Sequence, residues 1–286
     1  IQRARAMAPG CKVIPGSHCP FCVRGVCRTE FSVRCCRWQQ ERNPMNIRGG
    51  RTLYGQDIGI LMMDTKFPRI PGDPGNAATF DFPVCYKVVR DVFQGDRIPR
   101  DADEILLKAF CKAARELEKD GCRAITTCCG FLAGFQRELA DAVDIPVFTT
   151  TLTLIPMIAS MIGRKKQIGI FSERAQFMTD SLFEKSGWSS RDYNICVSDL
   201  PEQSEFNELI IYNHESGDPD KIRESIRQMT KEHMEKYPDT GAIVLECQNF
   251  APFGDVIAKE SGVPVFGLNQ LIAFIEASLN YRKYDV

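Results

Sequence analysis

The sequence predicts an α/β protein with two similar lobes, each containing a parallel sheet covered by helices. The first observation is a repeat: residues 123–148 and 241–266 align without a gap and share a cysteine and a terminal Pro-Val-Phe run. The second is that each copy begins with a strand-like apolar run and continues over a helix-length segment before the next strand. We therefore expect two lobes related by a pseudo-twofold axis, with the active site in the cleft between them.

Composition and charge fit a globular protein that acts on a small molecule. The 286 residues, 44% hydrophobic and 26% charged, are enough to bury a core in each of two lobes. The formal net charge of -1 gives no electrostatic case for nucleic acid or a membrane as a partner. Thirteen cysteines without a secretory signal indicate a reducing compartment, so we expect a cytoplasmic location. A homo-oligomer is left open.

Residues 1–44 differ from the rest of the chain. They hold six of the 13 cysteines, and eight Lys/Arg against two Asp/Glu. His18, Cys19, Cys22 and Cys27 could supply four zinc ligands, but the second CxxC pair of a typical zinc site is missing. The few apolar residues and the lack of periodicity favour disorder in this segment. Met45 is suitably placed to be the initiating methionine. We expect translated upstream sequence or a cloning remnant here, and no bound metal.

The first lobe is predicted over residues 45–150. A buried strand at residues 57–63 opens it and ends at Asp64 and Thr65. The Pro- and Gly-rich residues 67–84 predict an ordered loop at the wall of the cleft, before a second strand near residues 84–88. In residues 101–121, Ile105, Leu106, Phe110 and Leu117 recur at helical spacing, which predicts an amphipathic covering helix.

The second lobe is predicted over residues 151–267 and opens in the same way, with a strand that ends at Ser172. A linking helix within residues 149–163 is too short and too rich in Thr to span a membrane. The last helix has no further strand to serve, so we expect residues 268–286 to return and complete the first lobe. The other predicted elements are strands at 167–171 and 193–198 and helices at 175–187 and 219–236.

Cys129 and Cys247 occupy equivalent positions at the ends of the two repeated strands. In open parallel sheets the carboxyl ends of strands bind ligands, and the following helix presents unpaired amides there. A thiol at a helix N-terminus has a lowered pKa, because the amides stabilise the thiolate. Two thiols on opposite sides of a cleft can remove an α-proton from one face of a carbon and return a proton to the other. The pair predicts a two-base racemase.

The alternative is that both cysteines are inert, since Cys is among the most buried residue types. Equivalent positions in a repeat favour a chemical role for Cys129 and Cys247 over this alternative. We expect a structural role for the other cysteines after Met45, namely Cys85, Cys111, Cys122, Cys128 and Cys196. Cys128 belongs with them because adjacent side chains on a strand point to opposite faces.

Three segments, GILMMDTKFPRIPGD, ITTCCGFLA and LECQNFAPF, resemble the aspartate/glutamate/hydantoin racemase superfamily, specifically its aspartate/glutamate racemase branch. The resemblance runs from about residue 45 to the end of the chain. It implies two flavodoxin-like lobes, no cofactor, and Cys129 and Cys247 as the acid/base pair. It also implies a small carboxylate substrate bound at strand ends and by the residues after each cysteine. Those positions are Asp64, Thr65, Gly130, Ser172, Gln248 and Asn249.

The chain departs from the family pattern after both cysteines. Many members have Asn-Thr after the first, where this chain has Gly130-Phe131, and Thr followed by His or Glu after the second, where it has Gln248-Asn249. The missing His or Glu removes an assisting acid/base group.

Several activities therefore stay open. Two cysteines favour racemisation over the superfamily's decarboxylases, which keep one. The expected activity is an amino-acid racemase of the aspartate/glutamate type. The alternatives are a hydantoin racemase and a maleate-isomerase-like enzyme, and in the latter one cysteine can act as a nucleophile. From a different class, a bilobal small-molecule binding protein predicts no reactive thiol at the cleft.

Overall fold

A computed structural model describes residues 22–23, 26–27, 49–90 and 104–281 of the chain. Two short strands, β1 (Cys22–Val23) and β2 (Val26–Cys27), pair antiparallel with Cys22 opposite Cys27. The other two residues of the zinc hypothesis, His18 and Cys19, lie outside the described residues, as does most of the segment for which disorder was predicted. Both larger sheets belong to one compact unit, Arg51–Val286.

The first lobe contains a four-stranded sheet in which all strands are parallel. Its elements are β3 (Ile58–Met63), β4 (Val84–Val89), α1 (Glu104–Asp120), β5 (Ala124–Thr127), α2 (Gln136–Ala140) and β6 (Val147–Phe148). The strand order is β4-β3-β5-β6. This places the first strand of the lobe between the second and the third, as in flavodoxin-like sheets.

Helices cover both faces of this sheet, which explains why β3 is a continuous apolar run. Alternate side chains of a strand point to opposite faces. Leu61 packs with Phe110 of α1 on one face. Ile60 packs with Leu271 and Ile272 of the last helix on the other. The last described helix therefore packs on the first sheet.

The second lobe repeats this arrangement with the strand order β8-β7-β9-β10, again all parallel. Its elements, and the last helix, are α3 (Ile155–Ile162), β7 (Gln167–Phe171), α4 (Asp180–Lys185), β8 (Ile195–Ser198), α5 (Glu205–Ile210), α6 (Pro219–Lys236), β9 (Thr240–Leu245), α7 (Gly254–Ser261), β10 (Val265–Phe266) and α8 (Leu268–Leu279). The predicted fold class, two α/β lobes with parallel sheets, is confirmed. The predicted domain boundaries stay predictions.

Local structure differs from the prediction in several places. The segments after Cys129 and Cys247 begin as 3₁₀ helices, Gly130–Phe135 and Gln248–Phe253, before the short helices α2 and α7. The helix predicted at 175–187 is a 3₁₀ turn, Ala175–Phe177, followed by α4. Helix α5 was not predicted. Further 3₁₀ turns lie at Ala77–Thr79 and Thr151–Leu154.

The loop after β3 joins the first lobe to the second. Phe67 is buried in the apolar core of the second lobe, and its backbone N–H and that of Lys66 donate to Oδ1 of Asn213 at 3.3 and 2.7 Å. Gly72, at φ +101°, lies so close to Pro252 that a Cβ would stand 2.8 Å from the Pro252 Cα. The loop is thus a fixed wall between the lobes. No helix in the described ranges is long and apolar enough to cross a membrane.

Candidate active site

The two cysteines predicted to be catalytic lie at the carboxyl end of the third strand of each sheet. Cys129 follows β5 after one residue and immediately precedes the 3₁₀ helix Gly130–Phe135. Cys247 follows β9 in the same way and precedes Gln248–Phe253. Cys129 is half-buried, whereas only 5% of Cys247 is exposed. Equivalent positions in the two lobes therefore give the two thiols different access to solvent.

The turns that carry the cysteines meet where the two lobes join. A Cβ added to Gly130 would lie 2.1 Å from Oε1 and 2.5 Å from the carbonyl oxygen of Glu246. Because real Cβ contacts are never so short, only glycine allows this approach. Gly130 follows Cys129 and Glu246 precedes Cys247, so the contact brings both cysteine-bearing turns to one place.

Cys247 has a carboxyl group as its neighbour. Its thiol donates to Oε2 of Glu173 at 3.8 Å, and the side-chain amide of Asn249 donates to its sulfur at 3.6 Å. Glu173 follows β7, is 4% exposed, and its Oε1 accepts a hydrogen bond from Arg174 at 3.1 Å. A carboxyl group therefore lies beside Cys247 although the sequence directly after that cysteine has no His or Glu. It comes from a neighbouring strand, where the sequence alone gave no reason to choose it.

Burial raises the pKa of the Cys247 thiol well above its ordinary value, and the carboxyl groups of Glu173 and Glu246 raise it further. Asn249 lowers this pKa but does not compensate. The prediction of a lowered pKa is therefore wrong for Cys247. The prediction relied on the amides of a following helix to stabilise the thiolate. That stabilisation is weak here because the α-helix begins only at Gly254. Burial likewise raises the pKa of Glu173, although Arg174 opposes that shift.

Glu246 is a fully buried acid in the same cluster. Neither of its carboxyl oxygens has a hydrogen-bond partner among the described residues. Burial raises its pKa to about 8, and Glu173 contributes to that rise. Ser172 and Arg174 lower the pKa of Glu246. The Ser172 hydroxyl does so although it makes no hydrogen bond of normal geometry to the carboxyl group. Glu246 is therefore largely protonated at neutral pH.

Further polar atoms beside Cys247 are also buried without a partner in the described structure. They are both amide atoms of Gln248 and Oδ1 of Asn249. A buried polar group left unsatisfied costs roughly 1–3 kcal/mol, so such a concentration in one place calls for an explanation. A polar ligand bound next to Cys247 would supply the missing partners.

Arg69 carries positive charge to the Cys129 side of the site. Its guanidinium donates to Oδ1 of Asp73 at 2.8 Å, to Oγ1 of Thr65 at 3.0 Å and to the sulfur of Cys128 at 3.7 Å. Burial works against the cation, but Cys128, Asp73 and Cys129 together raise the pKa of Arg69 above its usual value. The sequence placed Arg69 in the segment that carried the family resemblance but gave no sign that its side chain turns inward.

Five of the six positions predicted to bind substrate are buried or half-buried, and Asp64 is exposed. Gly130, Gln248 and Asn249 belong to the cluster around the cysteines. Thr65 holds Arg69, and the Ser172 hydroxyl accepts from the backbone N–H of Arg174 at 3.3 Å. Their contact with a substrate stays a prediction. In the described part of the chain, no three or more His, Cys, Asp or Glu side chains are placed to hold a metal ion.

An apolar cavity of about 60 Å³ lies beside the site, between the loop after β3 and the second lobe. Pro68 and Ile70 line it from the loop, and Phe206 and Phe253 from the second lobe. Asn249 forms part of the same wall and also contacts Cys247. The cavity is therefore one side chain away from the thiol.

The arrangement of lobes is that of a known class of enzymes. A glutamate racemase from Bacillus anthracis superposes with a TM-score of 0.54 at 17% identity, over 78% of this chain and 81% of the racemase. A glutamate racemase from Francisella tularensis in complex with D-glutamate gives 0.51 at 13%, over 81% and 85%. Arylmalonate decarboxylase gives 0.51 at 13%, over 80% and 94%. The chain has the two-lobed fold of these racemases and decarboxylases.

The relatives found by sequence comparison carry the name of a different activity. A dimethylsulfoniopropionate lyase from Durusdinium sp. clade D is 26% identical over 254 residues, which are 86% of this chain and 82% of the relative. Dimethylsulfoniopropionate lyase 7 from Emiliania huxleyi is 24% identical over 237 residues, or 80% and 69%. No family model matches the chain. The relatives and the structural neighbours are all enzymes, but the relatives do not support the predicted aspartate/glutamate racemase branch.

Proposed function

We propose that this chain is a lyase that removes the α-proton of a 3-sulfoniopropanoate and releases a dialkyl sulfide, with Cys247 as the base. The observation that carries the proposal is the contact between the Cys247 thiol and Glu173 at the strand ends. The reaction class comes from the sequence relatives, whose names specify dimethylsulfoniopropionate as the substrate. A thiol–carboxyl pair is the element that such a reaction needs.

Glu173 allows Cys247 to act as a base although burial opposes a lone thiolate. The two groups share one negative charge, whether the proton is on the sulfur or on the carboxyl oxygen. Moving the proton between them leaves the charge of the buried pair unchanged, so desolvation penalises both states to a similar degree. Once formed, a thiolate whose pKa is raised is a stronger base towards a carbon acid.

The elimination balances without an oxidant or a reductant. The Cys247 thiolate takes the α-proton, and the electron pair of the C–H bond becomes the second bond between the α- and β-carbons. The C–S bond breaks, and its electron pair stays on sulfur, which leaves as a neutral sulfide. An α,β-unsaturated carboxylate remains, and the proton on Cys247 passes to solvent through Glu173.

The charges and shape of the site suit both ends of such a substrate. Arg69 supplies a cation for the carboxylate, and an arginine fork matches carboxylate geometry. The apolar cavity beside Asn249 can take the alkyl groups on sulfur. Phe206 and Phe253 line it, and aromatic rings favour a neighbouring cation. Substrate would then lie with its carboxylate at the junction of the two lobes and its sulfur towards the cavity of the second lobe.

A second candidate is the amino-acid racemase of the initial prediction, with a hydantoin racemase beside it. The observation that favours it is the second thiol, Cys129, at the equivalent strand end of the first lobe. Both reactions begin by removing a proton next to a carboxylate or carbonyl group. They differ afterwards, because racemisation must deliver a proton to the opposite face whereas elimination expels a leaving group.

Proton NMR in deuterated water separates these candidates. The protein is incubated with dimethylsulfoniopropionate, and in parallel with L- and D-amino acids and hydantoins. Vinyl signals and dimethyl sulfide from the sulfonium compound are the expected result. Loss of the α-proton from an amino acid or hydantoin, with no vinyl product, would replace the lyase by a racemase. No reaction with any compound would favour the binding protein over both.

A further inference from the structure

Glu246 is not used by the elimination described above, although it lies at its centre. It is fully buried, it precedes Cys247, and it packs on Gly130 of the opposite lobe. Both of its carboxyl oxygens lack a hydrogen-bond partner in the described structure. A buried acid with a structural role is normally paired, because leaving it unpaired costs free energy. An unpaired acid that touches both cysteine-bearing turns points to a ligand group as its partner.

The protonated form of Glu246 has a hydrogen to donate. Its pKa of about 8, raised by burial, keeps the proton on Glu246 at neutral pH. A neutral carboxylic acid in a dry site can donate a hydrogen bond to an oxygen that becomes more negative during a reaction. Removal of an α-proton places such charge on the oxygens of the substrate carboxylate. Gln248, two residues further on, has a buried side-chain amide that also lacks a partner in the described structure, and its N–H groups are further donors.

We propose that Glu246, as a neutral carboxylic acid, donates a hydrogen bond to the carboxylate of the substrate and stabilises the charge that develops there as the α-proton leaves. The inference deepens the proposed function, since it rests on a carboxylate substrate at the same site. Gly130 allows this role because any larger residue would occupy the space into which the Glu246 side chain extends. Glu246 is then a catalytic residue in addition to the two cysteines.

Other charged or titratable groups lie near Glu246. Two charged residues that follow β7 influence Glu246, namely Glu173 and Arg174. Cys247 is its neighbour in the sequence, after β9. From the first lobe it faces Gly130, and Cys129 is one residue earlier. A test must therefore remove the ionisation of Glu246 alone and leave these groups in place.

Binding of propionate and acrylate, measured by calorimetry at pH 6.5 and 9.5, tests the inference without requiring turnover. Glu246→Gln keeps the shape and an N–H donor but cannot ionise, whereas Glu246→Leu has no donor. Glu138→Gln, at an exposed position of α2, is the control. We expect the Gln variant to bind within about threefold of wild type at pH 6.5, and the Leu variant at least about 10-fold more weakly, as for a lost hydrogen bond to a charged group.

The pH dependence gives a second readout that does not rely on the Leu variant folding. Wild-type binding should weaken between pH 6.5 and 9.5, because an ionised Glu246 repels the ligand carboxylate, and Glu246→Gln should lack that part of the loss. Equal pH dependence in both proteins, unchanged binding by a folded Leu variant, or no carboxylate binding by wild type would each overturn the inference. Elimination of dimethylsulfoniopropionate is assayed separately. Carboxylate binding that depends on Glu246 without elimination would reject the lyase and keep this role of Glu246.

Discussion

Cys129 and Cys247 occupy equivalent positions in the sequence, but their surroundings in the structure differ. Cys247 is buried and donates to a carboxyl group that can take its proton. Cys129 is half-buried, and it adds to the negative surroundings that raise the pKa of Arg69. A base needs a route for its proton, and Glu173 provides one for Cys247. Under the proposed function Cys247 is therefore the base, and Cys129 contacts the substrate or delivers a proton from the other side.

This asymmetry leads to a prediction about single replacements. In an elimination only the base acts on the α-proton, so Cys247→Ser should lower kcat by at least about 100-fold. Cys129→Ser should lose less and retain measurable elimination. Cys111→Ser, at a half-buried position on α1, is the control and should behave as wild type. Release of dimethyl sulfide, followed by gas chromatography, measures all three variants.

The same variants identify a racemase if the elimination is absent. A two-base racemisation requires both thiols, so either replacement would stop inversion. Each remaining cysteine would still exchange the α-proton of one enantiomer with solvent, and the favoured enantiomer would differ between the two variants. Equal activity of wild type and Cys247→Ser on every substrate would remove both mechanisms.

The 3₁₀ helix Gly130–Phe135 depends on one glycine for its contact with the second lobe. Gly130→Ala forces a Cβ to within 2.1 Å of Glu246, so we expect loss of activity and a melting temperature several degrees lower. Gly134→Ala is the matched control in the same segment, because its Cβ would come no closer than 4.0 Å to another heavy atom, the Nζ of Lys185. Thermal unfolding of both variants tests this. Equal stability would mean that the lobes can separate here at little cost.

Helix α6 is held to the second sheet by a buried histidine whose charge state links stability to pH. Nδ1 of His233 lies 2.8 Å from the Ser198 hydroxyl, and Nε2 lies 3.2 Å from that of Thr240. Burial lowers the pKa of His233 to about 4. The unfolded chain takes up this proton near pH 6.5, so the associated stability is present above that pH and is lost as pH falls towards 4.

Urea denaturation between pH 7 and pH 4 measures this effect. The lowering of the His233 pKa in the folded chain corresponds to about 3 kcal/mol in the free energy of unfolding. In His233→Gln that part of the pH dependence should disappear, at the cost of a lower stability at pH 7. His214→Gln, at an exposed position, should keep it. A pH dependence that is unchanged in His233→Gln would show that His233 can be protonated in the folded chain.

The sequence predicted most elements because their signals are local. Helix α6 begins and ends at the residues predicted, since Asp218 caps it, Pro219 opens it and its apolar residues keep helical spacing. Ile105 fits the same spacing in α1 but is 70% exposed, whereas its neighbour Leu106 is buried. Both cysteine positions could be found from the repeat. Glu173 and Arg69 could not, because their roles arise from contacts between elements that are distant in the chain.

At the scale of the whole molecule, the two four-stranded sheets and the site belong to one unit that begins at Arg51. We therefore expect removal of residues 1–44 to leave the melting temperature within a few degrees of the full chain and to keep its activity. The change in charge and cysteine content before Met45 motivates the same expectation. Differential scanning calorimetry and the dimethyl sulfide assay on both lengths test it. A large loss of stability, or stoichiometric zinc in the full-length protein, would contradict it.

The path of the chain ties the two lobes into one cooperative structure. Helix α8 follows the last strand of the second sheet yet covers the first, where Ile272 is fully buried beside Ile58 and Ile60. Arg123, just before β5, holds the end of this helix through hydrogen bonds to the Leu279 carbonyl at 2.6 Å and the Asn280 side chain at 3.0 Å. The first lobe cannot complete its core until the second has been placed.

Two replacements in α8 test this dependence. Ile272→Ala should lower the free energy of unfolding by about 2–4 kcal/mol, as expected for a truncated core side chain. Phe274→Ala, two residues away and 64% exposed, should change it by less than about 0.5 kcal/mol. Because α8 links the lobes, Ile272→Ala should shift a single unfolding transition, monitored by circular dichroism and by tryptophan fluorescence in a Trp38→Phe background, which leaves Trp188 of the second lobe as the fluorophore. Separate transitions by the two probes would show that the lobes unfold independently, and that α8 covers the first sheet without coupling it to the second.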